Sequence, residues 1–115
     1  MFSLFFSKKT VIILALIFSH LAANSACCSV QTGTVTTIGS LTNGIFFFTL
    51  NGPITNRGAC NTSGRFALNT NNANHKTTMA TILAAYIAEK QVQVIGLTTC
   101  TTWTDSDDVG SLSIQ

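Results

Sequence analysis

Four cysteines, Cys27, Cys28, Cys60 and Cys100, constrain this chain more than any other feature of its sequence. They fall in residues 27–115, a segment of about 89 residues that can build only a modest hydrophobic core. In a small exported domain, four cysteines indicate a disulfide framework, for which three pairings are possible. The fold is therefore expected to bring distant parts of the chain within bonding distance.

Export is indicated by the first 26 residues, which have the order of a secretory signal peptide. A basic pair, Lys8 and Lys9, precedes a short apolar run, and small and polar residues follow as far as Ala26. The apolar run is too short to span a bilayer. We therefore expect a signal peptide over 1–26, one domain over 27–115 with no membrane span, and a secreted or periplasmic location.

The pairing of the cysteines is only partly determined by their positions. Cys60 and Cys100 both lie inside the patterned part of the domain, so we predict a bridge between them. Cys27 and Cys28 lie at the expected new N-terminus, where chains are often mobile. They could pair with each other in a strained ring, join two chains or carry lipid. Lipid is the least favoured, because the leucine usual three positions before a lipoprotein cysteine is absent.

The expected mature domain carries little charge. Its four basic residues balance four acidic residues, so its formal charge is zero, and Thr, Asn and Ser supply most of its polar groups. Nucleic-acid binding is not expected, because no basic patch or stripe is present. A surface of hydroxyls and amides suits a neutral hydroxylated ligand, although it also fits an exported protein that simply carries few charges.

Three strands are predicted in the first half of the domain. The segment GTVTTIG at 33–39 is β-branched and partly alternating, and IFFFTL at 45–50 is an apolar run too short for a helix. RFALN at 65–69 follows a polar loop that carries Cys60. The phenylalanines of the second strand are expected to pack in the core and against neighbouring residues, rather than to stack on a ligand.

One segment, from Lys76 to Lys90, has the periodicity of a helix. Its apolar residues recur at spacings of three, four, seven and eight, and they are Met79, Ile82, Leu83, Tyr86 and Ile87. We expect the helix to bury this stripe, with Leu83 packed against the strands. Asn74 is the predicted N-cap, because its side-chain oxygen can accept from the first free amides.

Two further strands are predicted after the helix, at 91–97 and 109–114. The order of three strands, one helix and two strands predicts a mainly β domain of the α+β class. More specifically, it predicts an OB-type five-stranded Greek-key barrel with the helix between strands 3 and 4. The bridge would then join the loop before strand 3 to the loop after strand 4. An immunoglobulin-like sandwich is the rival, but it needs about seven strands and no helix.

Several stretches of the chain resemble known proteins. They are TGTVTTI, FFFTLNG, AC and the helix end LAAYIAEKQVQV. In these stretches the chain looks like a group of small exported bacterial proteins. More distantly, over about Thr32 to Val94, it is similar to the B subunit of subtilase cytotoxin and its pertussis-like relatives. The resemblance implies an OB fold, a pentameric ring and binding of sialylated glycans.

The resemblance assigns a role to one residue. Thr32 stands where the family has a glycan-contacting serine, just before Gly33, and a threonine keeps the hydroxyl donor and acceptor. The chain departs from the family at Thr49, where the toxin subunits have a cysteine, and in its C-terminal segment TWTDSDDVGSLSIQ. The disulfide pattern is therefore expected to differ from that of the toxin subunits.

Patterns for catalysis and metal binding are weak. Ser63 or Thr62 with His75 and Asp105 are the residue types of a hydrolase triad, but no motif or spacing connects them. The acidic run DSDD at 105–108 could share a calcium ion, yet it lacks the glycine and the final glutamate of a calcium loop. We expect a solvated turn there, and a protein that is not an enzyme and needs neither metal nor cofactor.

Two functions remain after these exclusions. The first is an exported module of toxin B-subunit type that binds a glycan or glycoprotein through Thr32 and Trp103 and that could form a homo-oligomer. Trp103 is more readily explained as a cover for the small core, but the face of its ring could also stack on a sugar. The alternative function is a disulfide-stabilised structural or protein-interaction domain of the envelope or periplasm.

Overall fold

The structure, a computed structural model, describes residues 27–115, and the predicted signal peptide lies outside the described residues. The strands are β1 (Ser29–Ser40), β2 (Ile45–Leu50), β3 (Ile54–Thr55), β4 (Phe66–Asn69), β5 (Gln91–Gly96) and β6 (Asp107–Ile114), and helix α1 (Ala73–Ala88) lies between β4 and β5. The predicted class, mainly β with one helix, is confirmed. The two-residue β3 is an additional strand that the sequence pattern did not predict. No helix in this part of the chain is long and apolar enough to cross a membrane.

Five of the strands form a closed circuit of backbone pairing. Strand β1 pairs antiparallel with both β2 and β5, β2 pairs antiparallel with β4, and β5 pairs antiparallel with β6. The circuit closes through the parallel pair β4 and β6, which is joined only at Phe66 with Asp107 and at Ala67 with Asp108. Strand β3 pairs with β1 alone. Helix α1 contacts β1, β4, β5 and β6.

Strand β1 begins four residues before the predicted strand, and its two halves pair with different strands. Residues 29–34 pair with β5, whereas Val35 and the residues after it pair with β2. An extra residue at Thr36 shifts the register within the part of β1 that pairs with β2, and such a bulge increases the local twist. The start of β1 escaped prediction because its inward-facing residues, Ser29 and Gln31, are polar yet buried.

The core is built from β1, β2, β4, β5 and α1. Its buried members are Val35, Phe46, Phe48, Leu50, Phe66, Leu68, Ile82, Ala85, Val92 and Val94. Phe48 stacks on Phe66 with ring centroids 5.6 Å apart. Because side chains alternate along a strand, Phe47 points to the other face and packs against Trp103. The expectation that the phenylalanines divide between core and neighbour packing is confirmed.

Helix α1 begins three residues before the predicted start. Its N-cap is Asn72, whose side-chain oxygen accepts from the amide of Asn74 at 3.0 Å. The predicted N-cap, Asn74, is therefore wrong, since this residue already lies in the first turn. Three asparagines precede or open the helix, and any of them could supply the capping oxygen. The sequence alone did not show which of these asparagines is the N-cap.

The helix also buries a different face from the predicted one. Ile82 and Ala85 are fully buried and Leu83 is only partly buried, while Tyr86 is 42% and Ile87 is 81% exposed. At about 100° per residue, Ile87 lies roughly 140° around the helix from Ile82. The predicted stripe was too wide for one contact face, so Ile87 points to solvent. Tyr86 lies only about 40° from Ile82 and is exposed two residues before the end of the helix.

Candidate functional site

Both disulfides close within the chain. The predicted Cys60–Cys100 bridge is confirmed, with Cα atoms 6.1 Å apart, and it joins the loop before β4 to the loop after β5. Cys27 and Cys28, which the sequence left open, pair with each other. Residues 27–115 consequently contain no free cysteine. Disulfides of this kind are typical of proteins outside the cytoplasm.

The threonine-rich segment around Cys100 surrounds the carboxylate of Asp108. The hydroxyls of Thr99 and Thr101 each donate to Oδ2 at 2.7 Å. The amides of Thr101 and Thr102 donate at 2.9 Å to Oδ2 and Oδ1 respectively. Burial raises the pKa of the Asp108 carboxyl, but these hydrogen bonds outweigh it and lower the pKa from 3.8 to about 2.

The solvated turn predicted for the acidic run is therefore wrong for two of its three carboxylates. Asp107 is 0% and Asp108 is 6% exposed, although they are neighbours in β6. The Gly58 loop lies over Asp107, and the threonine-rich segment encloses Asp108. Asp105 forms an ion pair with Arg65 at 2.7 Å. The three carboxylates thus have different partners, and they do not converge on a shared calcium position.

At neutral pH, Asp108→Asn should lower the free energy of unfolding by about 2 kcal/mol, which is the equivalent of the pKa shift at 1.36 kcal/mol per unit. The folded-state pKa lies below the unfolded value, so the carboxylate stabilises the fold above about pH 4. This contribution is lost as the pH falls towards 2. The stability difference between wild type and variant should therefore shrink over that range in urea titrations.

Asp105→Asn is the matched control for this prediction. Its ion pair with Arg65 is partly exposed to solvent, so its loss should cost less than about 1 kcal/mol at neutral pH. A difference between wild type and Asp108→Asn that stays constant from pH 6 to pH 2 would contradict the assignment of the stabilisation to the ionised carboxylate.

Asp107 is the most deeply buried acid. Its Oδ2 accepts from the Ser29 hydroxyl at 3.0 Å and from the Gly58 amide at 3.4 Å. Its Oδ1 is buried and has no hydrogen-bond partner among residues 27–115. A Cβ atom on Gly58 would collide with this carboxylate, so only glycine lets the loop before Cys60 close over Asp107.

Trp103 already packs on protein groups. The guanidinium of Arg65 lies 4.1 Å from the Trp103 ring centroid, within cation–π range. The ring of Phe47 lies 5.3 Å away at an interplanar angle of 52°. Arg65 is in turn held by Asp105. This packing agrees with Trp103 as a cover over the outer face of β2, and it leaves less of the ring for a ligand.

The residues considered as a hydrolase triad do not come together. The Ser63 hydroxyl donates to the backbone carbonyl of Asp105 at 2.7 Å, not to its carboxylate. Nδ1 of His75 accepts from the backbone amide of Asn69 at 3.0 Å. No hydrogen bond links His75 to Ser63 or Asp105 in the described part of the chain.

A second surface consists of uncharged polar residues on the outer side of β1, β5 and β6. Thr32 lies opposite Gln93, which lies opposite Ser113, and Thr34 lies opposite Gln91. Thr32 and Thr34 share the outward face of β1, since successive side chains alternate. We call these five residues the polar face. Its side chains offer hydroxyl and amide groups and no charge.

An open pocket of about 660 Å³ adjoins the polar face at the C-terminal end of α1. It is lined by Thr34, Val35, Tyr86, Ile87 and Glu89. Glu89 is the C-cap of the helix, in the left-handed conformation with φ 53°. The pocket thus combines a hydroxyl, an exposed aromatic ring, apolar side chains and one carboxylate. Sequence reasoning missed Tyr86 as a site residue, because it assigned this residue to the buried stripe.

The structure separates the two predicted ligand residues. Thr32 lies on the polar face beside β5, whereas Trp103 lies over Phe47 of β2. No hydrogen bond or ring contact joins Thr32 and Trp103 within residues 27–115. Thr32 instead lies two positions from Thr34, which lines the pocket.

Comparisons with known proteins do not extend this description. Searches against protein-family models, curated proteins and solved structures found no match. The class that the fold and its surfaces define is therefore a disulfide-bridged, mainly β domain with one helix. Its candidate sites are the pocket beside the polar face and the buried Asp107 carboxylate beside the Cys60–Cys100 bridge.

Proposed function

We propose that this domain is an exported OB-type barrel that binds a glycan or glycoprotein. Three features support the fold type: the closed circuit of β1, β2, β4, β6 and β5, the parallel pair that completes it, and the helix placed before β5. An OB fold is a partly open five-stranded Greek-key barrel with this kind of organisation. Strand β3 is then a short addition at the edge of β1.

The observation that carries the proposed function is the pocket beside the polar face. Small-molecule sites combine apolar and aromatic walls with a few placed polar groups. A sugar presents hydroxyls together with an apolar ring face. The ring of Tyr86 and the side chain of Ile87 match the apolar face, while Thr34 supplies a hydroxyl. Thr32, to which the resemblance assigns a glycan contact, lies on the same face.

The charges around the pocket favour a neutral glycan. Among the residues that line it, all of which are described, Glu89 is the only charged one. The C-terminal end of α1 also carries a partial negative charge, and its last turn contains no basic residue. Both would repel a carboxylate. We therefore propose a neutral sugar, in contrast to the sialylated glycans that the toxin resemblance implies.

A single pocket of this kind would bind weakly. Linked engagement of several sites can raise avidity by about 10² to 10⁴ without new contacts. A homo-oligomer that presents several copies of the pocket on one side would supply such sites. Oligomerisation is accordingly part of the proposal, in line with the ring that the resemblance implies.

Tyr86→Ala should weaken binding to immobilised neutral glycans at least about tenfold, equivalent to about 1.4 kcal/mol per site. The variant should fold normally, because Tyr86 is 42% exposed. Tyr86→Phe keeps the ring and is the matched control, and it should retain most of the binding. A glycan array with neutral and sialylated members, together with sedimentation of the oxidised protein, measures both ligand class and oligomeric state.

Comparison of Trp103→Ala with Thr32→Ala shows whether the glycan binds over the outer face of β2 or at the polar face. Loss of binding in Trp103→Ala with full binding in Tyr86→Ala would move the site to the outer face of β2. A monomeric wild type that binds no glycan under oxidising conditions would favour the envelope structural domain instead. That domain would have to bind its partners without disulfides, since residues 27–115 hold no free thiol.

A further inference from the structure

A second candidate site, independent of the glycan proposal, lies beneath the Cys60–Cys100 bridge. The two sulfur atoms and a carboxylate oxygen of Asp107 all lie within 4.8 Å of one another. Asp107 is 0% exposed, and its Oδ1 is without a hydrogen-bond partner among the described residues. A buried carboxylate oxygen that lacks a partner is costly. The carboxylate beside the two sulfurs thus has an oxygen with free capacity to bind a metal.

We propose that Cys60, Cys100 and Asp107 form a redox-gated metal site that binds one Zn²⁺ when the bridge is reduced. The oxidised bridge offers no thiolate, and the thiolate is the form that binds metals. Reduction by an external dithiol breaks the S–S bond and forms two thiols, while the dithiol becomes a disulfide. Zn²⁺ then forms two Zn–S bonds, and the two thiol protons pass to solvent.

The ligand set suits zinc. Two thiolates, one carboxylate oxygen and one water complete a tetrahedral site. Bonds of about 2.3 Å to sulfur and about 2.1 Å to oxygen place the ligand atoms roughly 3.5 to 4 Å apart. The two sulfurs, bonded at about 2.05 Å in the bridge, must separate by roughly 1.7 Å after reduction, and the Asp107 oxygen already lies within 4.8 Å of both. Both cysteines are partly exposed, so reductant and metal can reach them.

The surroundings of Asp107 hold its carboxylate in place. Its Oδ2 is fixed by the Ser29 hydroxyl and the Gly58 amide, while Oδ1 is left available. Hydrogen bonds to the second oxygen of a ligating carboxylate orient it for the metal. Asp107 would therefore contribute a carboxylate that is already positioned, and the two cysteine side chains would have to move to bind the metal.

The test uses the processed protein with Cys27→Ser and Cys28→Ser, so that the only thiols formed on reduction belong to Cys60 and Cys100. The protein is reduced with a phosphine and titrated with Co²⁺, whose absorption bands report thiolate ligation, and then with Zn²⁺. We expect one Co²⁺ per chain, displacement by Zn²⁺ and no binding by the oxidised protein. Asp107→Asn should weaken Zn²⁺ binding at least about tenfold. Asp105→Asn is the matched control and should leave the affinity unchanged.

Circular dichroism separates a folded site from metal capture by an unfolded chain. If reduction loosens the fold, Zn²⁺ should restore the β spectrum of the protein that retains Asp107 and fail to restore that of Asp107→Asn. The proposal is overturned if the reduced protein takes up no Co²⁺ or Zn²⁺. It is also overturned if Asp107→Asn binds as tightly as its parent, because the metal would then depend on the thiols alone.

Discussion

Replacement of both Cys60 and Cys100 with serine should lower the free energy of unfolding by about 4 kcal/mol on the chain-entropy model. The bridge spans a sequence separation of 40 residues, so its loss releases a long loop in the unfolded chain. Small domains are typically stable by about 5–15 kcal/mol. The change would therefore remove a large part of the total stability, and partial unfolding at physiological temperature is expected.

The second bridge provides a matched control. Cys27 and Cys28 are adjacent, so their disulfide closes almost no loop in the unfolded chain. The double substitution Cys27→Ser and Cys28→Ser should therefore cost much less than the loss of the Cys60–Cys100 bridge. Urea unfolding of the oxidised proteins, analysed for midpoint and slope, measures both effects. Equal losses in the two double variants would show that loop closure is not the source of the stabilisation.

The folded protein without the long bridge should keep the contact between its two loops. The Ser63 hydroxyl still donates to the Asp105 carbonyl, and Arg65 still pairs with the Asp105 carboxylate. Both contacts join the loop before β4 to the loop before β6. We therefore expect the loss of the bridge to act mainly through the unfolded state, with little change in the native fold.

Ile82→Ala should lower the free energy of unfolding by about 2–5 kcal/mol, the usual range for a large aliphatic residue removed from a core. Ile82 is 0% exposed and belongs to the central hydrophobic cluster. Its side chain anchors the buried face of α1 against the strands. Thermal or urea unfolding under oxidising conditions measures the loss, and circular dichroism confirms that the helix still forms.

Ile87→Ala makes the same chemical change in the same helix. Because Ile87 is 81% exposed, its substitution should change stability by no more than about 0.5 kcal/mol. Leu83→Ala should fall between the two, since Leu83 is only partly buried. A cost for Ile87→Ala equal to that of Ile82→Ala would mean that the predicted stripe, rather than the observed face, is buried in solution.

Substitutions at Asp108 and substitutions in the pocket should have different effects. Substitutions at Asp108 act on stability and its pH dependence, since Asp108 is surrounded by the threonine-rich loop. Substitutions at Tyr86 should act on ligand binding with little effect on stability. A variant series that separated these effects would show that Asp108 has a structural role and that the pocket is the functional surface for glycans.

The sequence alone determined the class of the domain and its principal bridge. The run IFFFTL coincides with β2, and the helical periodicity after residue 76 placed α1 to within three residues at its start. These features could be predicted because strand and helix patterns are local. The Cys60–Cys100 bridge followed from position, since only these two cysteines lie within the patterned region of an expected exported domain.

Only the tertiary structure decided which polar groups are buried and which apolar groups are not. Ser29 and Asp107 are 78 residues apart, and each is buried only because the closed circuit of strands brings them together. Asp108 looks like a surface acid until the threonine loop supplies its hydrogen bonds. Tyr86 belongs to an apolar stripe in sequence, yet the helix turns it towards solvent and the pocket. A local sequence pattern gives the polarity and spacing of residues. The burial of each residue depends on partners that the chain reaches only after folding.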